Sequence, residues 1–293
     1  MNHLLELNID VWKPNVENNL AKKAMLALEE GKVIYLPKLS FLLENEENIL
    51  LNRSFDLKRA KNISFDHKKN RLGGLDKKDQ HIITIMKMMK RYHDRTIALL
   101  EKLCPTYESS HSFGRTSFRP IEIMGRKPAS YRKDDTRLHV DAFPATPVND
   151  LRILRVFTNI NLFQESRVWR LGESFQEVIQ QFLPKVRRML PFEASFLSVM
   201  GLTRKKRDLY DHCMLQIHNR MKKDMQYQQN VKDETIAFPP GSTWIVFTDL
   251  VSHAALRGRY VLEQTFYPHL EKMQHPHLSP QRLIQNSHIL PWP

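Results

Sequence analysis

The chain has 293 residues and a formal net charge of +13, with 45 Lys and Arg against 32 Asp and Glu. Its apolar content of 41% is ordinary for a folded protein, and the length is enough to bury a large core. The charge favours anionic partners and leaves nucleic acid, acidic lipid headgroups and acidic small molecules as alternatives. Two cysteines exclude a disulfide framework.

The N-terminal segment MNHLLELNIDVWKPN has no apolar stretch of the signal-peptide type. No run of the sequence reaches the ~18 apolar residues that a membrane-spanning helix requires. The sequence therefore predicts a cytosolic protein without a transmembrane segment, which can still touch a membrane surface through its basic side chains.

The first part of the chain predicts helices around one buried strand. Residues 17–30 form an amphipathic pattern that ends at Gly31, and VIYLP at 33–37 is typical of a buried strand. Residues 53–78 are rich in Lys, Arg, Asn and Asp and predict a mobile basic loop. From 78 to 103 apolar residues recur at helical spacing, which predicts a long helix.

Strand patterns dominate the second part of the chain. They lie at 119–125, 136–143 and 151–162 and in ETIAFPP, STWIVFTDL and RYVLEQTFYP, with a helical insert at about 171–228. Because no Gly-rich strand-to-helix turn is present, antiparallel pairing fits better than a βαβ series. The predicted fold is mainly β with packed helices (α+β). It is a single domain over 1–293, with a support region at 1–113, a core at 114–268 and an extended arm at 269–293.

His139 and Asp141 are the first candidates for a chemical role, because residues two apart on a strand project from the same face. The motif is weak alone, since a surface His and Asp near a turn give the same pattern. His253, just past the strand TWIVFTDL, offers a third ligand if the two strands face each other in a double-sheeted barrel. Two imidazoles and a carboxylate on one side of an ion form the facial triad of iron(II) enzymes, with positions open for a bidentate co-substrate and oxygen.

Arg259 is the predicted anchor for the far carboxylate of 2-oxoglutarate, because it opens the strand RYVLEQTFYP and would lie deep in the barrel beside His253. The alternative is that Arg259, like Arg257, only caps a turn. In the strand LRILRVFTNIN, Arg155 and Asn159 share one face. If that face points inward, both can contact 2-oxoglutarate or an acidic substrate, and if it points outward they are solvated.

The segment GRTSFRPIEIMGRKPASYRKDDTRLHVDAFPATPVNDLRILRVFTNINL at 114–162 resembles the Kdo hydroxylases of Gram-negative bacteria, within the iron(II)/2-oxoglutarate dioxygenase superfamily. The resemblance continues through VWRLGESF at 168–175 and FPPGSTWIVFTDLVSHAALRGRYVLEQTFYP at 238–268. It implies a jelly-roll core (a double-stranded β-helix) and the use of Fe(II), 2-oxoglutarate and O2, and leaves open whether ascorbate is required. Carried over residue by residue, it implies that His139, Asp141 and His253 are the iron ligands and that Arg259 binds 2-oxoglutarate.

The resemblance also implies a substrate. This is C3 of Kdo (3-deoxy-D-manno-oct-2-ulosonic acid) in Kdo-lipid A, hydroxylated at the cytoplasmic face of the inner membrane with succinate and CO2 as co-products. Kdo carries a carboxylate and lipid A carries phosphates, which suits a basic protein. Basic residues that cluster before the metal motif are the predicted substrate contacts, with solvated surface charges as the alternative: Arg115, Arg119, Arg132, Lys133 and Arg137.

Two other functions are compatible with the same three ligands. A dioxygenase that acts on nucleic acid or protein would share the chemistry, but no basic stripe with base-stacking aromatic residues is visible, so nucleic acid is not expected. A zinc hydrolase would use the same side chains without oxygen. Iron analysis and succinate release separate these reactions.

Overall fold

The computed structural model describes residues 3–55, 57, 60–107, 113–287 and 289 of the chain. Its helices are α1 (Asn18–Glu29), α2 (Ile82–Leu103), α3 (Phe175–Phe182), α4 (Glu193–Val199), α5 (Leu209–Lys223), α6 (Met225–Asn230) and α7 (Pro280–Asn286). Helix α3 begins with a reciprocal cap. The Glu177 backbone amide donates to the Ser174 hydroxyl, and the Ser174 amide donates to the Glu177 carboxylate.

The strands of the described residues form two sheets. They are β1 (Leu4–Glu6), β2 (Val33–Leu36), β3 (Ile63–Asp66), β4 (Arg71–Gly73), β5 (Phe113–Arg119), β6 (Leu154–Asn159), β7 (Arg167–Leu171), β8 (Glu234–Phe238), β9 (Thr243–Phe247), β10 (His253–Arg257) and β11 (Val261–Phe266). The larger sheet has the order β1-β2-β9-β6-β11-β5-β3-β4, and the smaller sheet has the order β10-β7-β8. Strands β1 and β2 pair in parallel, and the strands around the barrel pair in antiparallel fashion.

Aromatic side chains fill the space between the two sheets. Phe157 and Trp244 belong to the larger sheet, whereas Trp169 and Phe238 belong to the smaller one. The ring centroids of Phe157 and Trp169 are 5.0 Å apart, and those of Phe238 and Trp244 are 4.2 Å apart. These contacts bury a large apolar area and hold the sheets face to face. The core is therefore a jelly roll with packed helices, and the predicted fold class is confirmed.

Strand β6 directs alternate side chains to the two sides of the larger sheet. Phe157 points into the barrel against Trp169, so Arg155 and Asn159, two residues away on either side, point inward as well. On the outer face the Tyr92 hydroxyl of α2 lies 3.2 Å from the Thr158 hydroxyl. The inward alternative for Arg155 and Asn159 is the one that the structure adopts.

The region around the metal motif differs from the predicted strands. The strand predicted at 119–125 lies earlier, as β5, because Pro120 has no amide hydrogen to continue the ladder. The segment 136–143 is not a regular strand, and its pairing is an isolated antiparallel bridge from His139 to His253.

Three further predicted segments also differ. The basic region 53–78 contains the hairpin of β3 and β4, and the predicted extended arm contains α7. The residues from His253 to Arg257, where the sequence suggested a turn capped by Arg257, form strand β10. Strand β3 also pairs with β5, and β10 pairs with β7; a local pattern does not reveal these distant partners. Residues 56, 58 and 59 of the predicted loop, and 288 and 290–293 of the predicted arm, lie outside the described residues.

Two histidines stack on each other beside strand β5. The ring centroids of His67 and His93 are 3.8 Å apart, and His67 Nε2 lies 2.6 Å from the Thr116 hydroxyl. Burial, followed by the positive charges of His93 and Lys90, lowers the pKa of His67 to about 4. Burial also lowers the pKa of His93. Both rings are therefore neutral in the folded protein at pH 7.

This pair predicts an acid-sensitive contribution to stability. The unfolded chain binds protons at the ordinary histidine pKa of 6.5, but the folded chain does so at His67 only near 4. The neutral histidine pair therefore makes its full contribution to folding stability above pH 6.5. This contribution is lost as the pH falls from 6.5 towards 4. We expect His93→Phe to reduce the decline of melting temperature between these pH values, with His277→Gln as an exposed control. A decline as steep as in the wild type would contradict this origin.

Candidate active site

A backbone bridge brings the two predicted histidine ligands together. The His139 amide donates to the His253 carbonyl at 3.0 Å, and the His253 amide donates to the His139 carbonyl at 2.9 Å. Residues paired in this way face each other directly, and the ring centroids of the two histidines are 4.7 Å apart. The bridge thus joins the motif segment to the first residue of β10.

Asp141 completes the cluster from the same segment. Its amide donates to the Thr248 carbonyl at 2.7 Å, which fixes the chain just past the end of β9. Its Oδ1 lies 3.6 Å from His139 Nε2. One ligand atom from each of His139, Asp141 and His253 lies within 4.8 Å of the others, and all three side chains are largely shielded from solvent. The three predicted ligands therefore do converge.

The protonation states of the three side chains suit a divalent ion. His139 Nδ1 lies 2.8 Å from the Arg137 carbonyl and His253 Nδ1 lies 2.8 Å from the Val251 carbonyl, so each Nδ1 carries the proton and each Nε2 is free to coordinate. Burial lowers the pKa of both imidazoles. Burial opposes ionisation of Asp141, but the Arg155 guanidinium and His253 outweigh it and lower its pKa to about 2. Two neutral imidazoles and a carboxylate fit iron(II).

His218 of α5 lies beside this cluster, although no role was predicted for it from the sequence. Its ring is perpendicular to that of His139, with centroids 5.0 Å apart, and its Nδ1 lies 2.8 Å from the Val140 carbonyl. Burial and then the Lys222 ammonium lower the pKa of His218 to about 4. A neutral ring with its Nε2 unprotonated therefore stands next to the ligands. Its spacing along α5 carries no signal that would have revealed this position.

A chain of ion pairs leads away from Asp141 across the inner face of the larger sheet. Arg155 Nη2 lies 2.9 Å from Asp141 Oδ2, and Arg155 Nη1 lies 2.7 Å from Glu263 Oε1. Arg119 Nε donates to Glu263 Oε2 at 2.7 Å. Burial disfavours a charged Glu263, but Arg119 and Arg155 lower its pKa and keep it ionised. This network holds the Asp141 carboxylate in a fixed orientation.

Arg167 and Trp169 are buried donors on the inner face of β7, and neither was predicted from the sequence as a site residue. The Trp169 ring stacks on His253, with centroids 5.1 Å apart. Trp169 Nε1 and Arg167 Nε have no hydrogen-bond partner. Burial and then the charge of Arg119 lower the pKa of Arg167 to about 9. Within the described residues no carboxylate pairs with Arg167, so the arrangement suits an anion bound beside His253.

Arg259 is not the buried anchor that the sequence predicted. Its guanidinium is about a third exposed, lies 3.3 Å from Glu165 and stacks on the Tyr260 ring. The reason is local, because Gly258 and Tyr260 both have positive φ, at 104° and 60°, and this turn directs Arg259 to the surface. The Gly258 carbonyl instead accepts from Arg167 Nη1 at 2.7 Å. The alternative, Arg257, is exposed at the end of β10.

Two more predicted contacts have structural partners. The side-chain amide of Asn159 (Nδ2) donates to the carbonyls of Glu165 and Phe238, each at 3.0 Å. It therefore ties β6 to neighbouring backbone instead of facing a ligand. Arg137 donates to Asp134 at 3.0 Å and to the Lys222 carbonyl at 2.7 Å, which joins the motif segment to α5.

Arg132 is exposed and lies over the Tyr131 ring. Lys133 is exposed as well. The roles of Arg132 and Lys133 as substrate contacts stay predictions.

A cavity of about 450 Å³ opens from this network to the surface. Positively charged side chains from four parts of the chain line it: Lys68, Arg115, Arg119, Arg155 and Arg204. Asp66 and Glu263 are the acidic residues in its wall. Arg155 forms the floor of the cavity and also contacts the metal ligand Asp141, so a single side chain separates the cavity from the metal ligands.

The ligand set and the adjoining donors define the class of protein. It is a non-heme iron(II)- and 2-oxoglutarate-dependent dioxygenase, in which His139, Asp141 and His253 would hold the ion. The family model described as 3-deoxy-D-manno-oct-2-ulosonic acid (Kdo) hydroxylase matches residues 11–288. The chain belongs to the Kdo hydroxylase family.

Solved structures of one such enzyme resemble the whole chain. The Kdo hydroxylase KdoO, a non-heme Fe(II) alphaketoglutarate-dependent dioxygenase, in complex with alphaketoglutarate and Fe(III) is 42% identical, with a TM-score of 0.91 over 97% of this chain and 95% of that one. Its cobalt(II) complex is 42% identical, with a TM-score of 0.93 over 98% and 96%. Its complex with succinate and Fe(III) is 41% identical, with a TM-score of 0.91 over 98% and 96%.

No curated protein sequence matches the chain. Among the described residues, the helices are too short or too polar to cross a bilayer.

Proposed function

We propose that the protein hydroxylates C3 of Kdo in Kdo-lipid A at the cytoplasmic face of the inner membrane, and that residues 1–293 act as one dioxygenase domain. The observation that carries this proposal is the cationic cavity whose floor residue, Arg155, contacts the metal ligand Asp141. A substrate with a carboxylate and phosphates complements such a cavity. The family membership supports Kdo as the sugar.

The side chains of the chain have distinct tasks in this proposal. His139, Asp141 and His253 hold the ion, and Arg155 fixes Asp141. Bound iron(II) and 2-oxoglutarate supply the oxidative chemistry, in which one atom of O2 enters a substrate C–H bond and the other enters succinate as CO2 leaves.

Arg167 Nε and Trp169 Nε1 bind the far carboxylate of 2-oxoglutarate, because they are unpaired buried donors on one face of β7. The two residues are two positions apart and project from the same face of the strand, so both donors can reach one carboxylate there. Arg119, which lowers the pKa of Arg167, adds to the positive field there.

The mouth of the cavity binds the substrate. Arg115 is half-exposed there, 3.8 Å from Asp66, and Lys68 and Arg204 line the same opening. Their charges orient the acidic groups of the sugar and lipid so that the target carbon points towards Arg155 and the metal ligands. This arrangement retains Arg115 and Arg119 as predicted substrate contacts and adds Lys68 and Arg204 to them.

His218 predicts a variant that separates binding from turnover. Since His218 stands beside the ligands but is not one of them, we expect His218→Gln to retain iron and 2-oxoglutarate binding and to lower kcat by about 10- to 100-fold. The measurements are binding titrations under anaerobic conditions and succinate release. His212→Gln is the matched control, because His212 lies on the same helix but contacts the Arg187 carbonyl. An equal loss of kcat in the His218→Gln and His212→Gln variants would contradict a role of His218 at the metal centre.

The decisive test of the proposed function starts with anaerobic reconstitution with iron(II) and 2-oxoglutarate, followed by oxygen and Kdo-lipid A. We expect a mass gain of one oxygen atom in the substrate, matched by one succinate per turnover, and a new hydroxyl at C3 by NMR. Succinate release without any change in the Kdo substrate would refute the substrate assignment. Hydroxylation elsewhere on the sugar would refute the position.

A further inference from the structure

The region around α4 presents apolar side chains to solvent. Only Ala194 of this helix is buried, whereas Phe192 is 85% exposed and Val199 is 86% exposed. We call the α4 surface the set of large exposed apolar residues in this region: Leu190, Phe192, Phe196, Val199, Met200 and Leu202. Single exposed apolar residues are common, but six within thirteen positions of the chain are typical of an interaction site.

Positive charge flanks the α4 surface on both sides. Between residues 185 and 207 the sequence has seven Lys or Arg and one acidic residue, Glu193, which pairs with Arg187 at 2.6 Å. We call Arg188, Arg204, Lys205 and Lys206 the basic flank. In the described part of the chain, no carboxylate lies within ion-pair distance of these four side chains. An apolar face bordered by unpaired cations complements a bilayer with anionic headgroups.

The α4 surface lies next to the mouth of the cavity. Arg204 belongs to the basic flank and also lines the cavity, as do Phe143 and Thr146 of the opposite loop. The Arg204 amide donates to the Ala145 carbonyl at 2.9 Å, so this backbone contact fixes the flank against that loop. A lipid-borne substrate held in a membrane would therefore meet the cavity directly beside the apolar side chains.

We propose that the α4 surface and its basic flank dock the protein on the surface of an anionic phospholipid bilayer. The apolar side chains enter the boundary between headgroups and acyl chains, and the basic flank contacts lipid phosphates. This inference rests on the proposed function, because docking on the membrane would place the cavity at the level of the Kdo sugar. The helix α4 has 7 residues and lies in the plane of the interface instead of crossing it.

Vesicle sedimentation tests the docking directly. The wild-type protein should sediment with vesicles of phosphatidylglycerol and phosphatidylethanolamine and remain in solution with phosphatidylcholine alone. The variant Phe192→Ser/Phe196→Ser/Val199→Ser should bind at least about tenfold more weakly, since it removes the apolar contacts. The variant Lys205→Gln/Lys206→Gln should bind about tenfold more weakly and depend less on salt.

The matched control is Leu42→Ser/Ile83→Ser, because these side chains are equally apolar and exposed but lie outside the α4 surface. It should bind vesicles as the wild type does, and melting curves should show all variants folded. Unchanged sedimentation of the triple serine variant, or wild-type protein that stays in solution with anionic vesicles, would overturn the proposal. A concentration-dependent dimer that the triple variant abolishes, without vesicle binding, would assign the surface to a second copy instead.

Turnover separates this inference from the proposed function. On a water-soluble deacylated Kdo glycan the triple serine variant should match the wild type, whereas on Kdo-lipid A in vesicles its rate should fall at least about tenfold, in line with the lost membrane affinity. Wild-type protein that hydroxylates both substrates without sedimenting would refute the docking and leave the function standing. Wild-type protein that sediments but oxidises neither Kdo substrate would refute the function and leave the docking standing.

Discussion

The Asp141→Asn variant should lose iron binding and reduce succinate release to background while remaining folded. The amide preserves the shape of the side chain but removes the one anionic ligand between two neutral imidazoles. Arg155 would retain Glu263 as a partner at 2.7 Å, so the buried guanidinium is not left without a carboxylate. We therefore expect the loss of stability to stay within about 1–3 kcal/mol, the cost of one weakened buried contact.

Three measurements check this prediction: iron content, succinate release and thermal melting. Asp150→Asn is a charge-matched control, because Asp150 is exposed and pairs with His269 at 3.6 Å. It should bind iron and release succinate as the wild type does. Full turnover in Asp141→Asn would refute the ligand assignment. Unfolding of Asp141→Asn would show instead that the carboxylate is needed for the fold.

The Arg167→Met variant should raise the KM for 2-oxoglutarate by about 100-fold, which corresponds to the loss of about 3 kcal/mol from charged hydrogen bonds. Its effect on the stability of the apoprotein should be small, in contrast to most buried substitutions. The guanidinium lacks a carboxylate partner in the described structure, and its burial lowers its pKa to about 9. An apolar side chain of similar length removes this unfavourable charge and offsets the lost bond to the Gly258 carbonyl.

Arg259→Met is the decisive comparison for this prediction, since Arg259 is the residue that the sequence favoured and the structure places at the surface. It should leave the KM for 2-oxoglutarate unchanged. A large rise in KM for Arg259→Met, with none for Arg167→Met, would reverse the assignment. The measurements are steady-state succinate release at varied 2-oxoglutarate and thermal melting without co-substrate.

The ligand set was predictable because it depends on local patterns. The spacing of His139 and Asp141 and the position of His253 after a strand are visible in one sequence. Alternation also places Arg155 and Asn159 on one face of β6, but it does not say which face points inward. The antiparallel core was predictable for the same reason. The helical insert at 171–228 was also located correctly, where α3 to α6 lie.

The other parts of the site depend on contacts between distant segments. Arg167 and Trp169 lie in RVWRL, where most positions are buried, so alternation gives no sign of which residues face the barrel. His218 reaches the ligands only because α5 packs over the motif segment, where Arg137 contacts the Lys222 carbonyl. The position of Arg259 at the surface was not predicted because the positive-φ residues on either side of it, Gly258 and Tyr260, change the direction that strand periodicity predicts.

The reciprocal hydrogen bonds between His139 and His253 have a consequence for how the enzyme acquires its metal. Because the polypeptide itself sets the spacing of the two imidazoles, the ion is not needed to assemble the centre, and little reorganisation opposes its entry. Chelators should therefore strip the protein reversibly, leaving it folded and ready to reload. Other divalent ions of similar coordination preference should then compete with iron for the same three ligands.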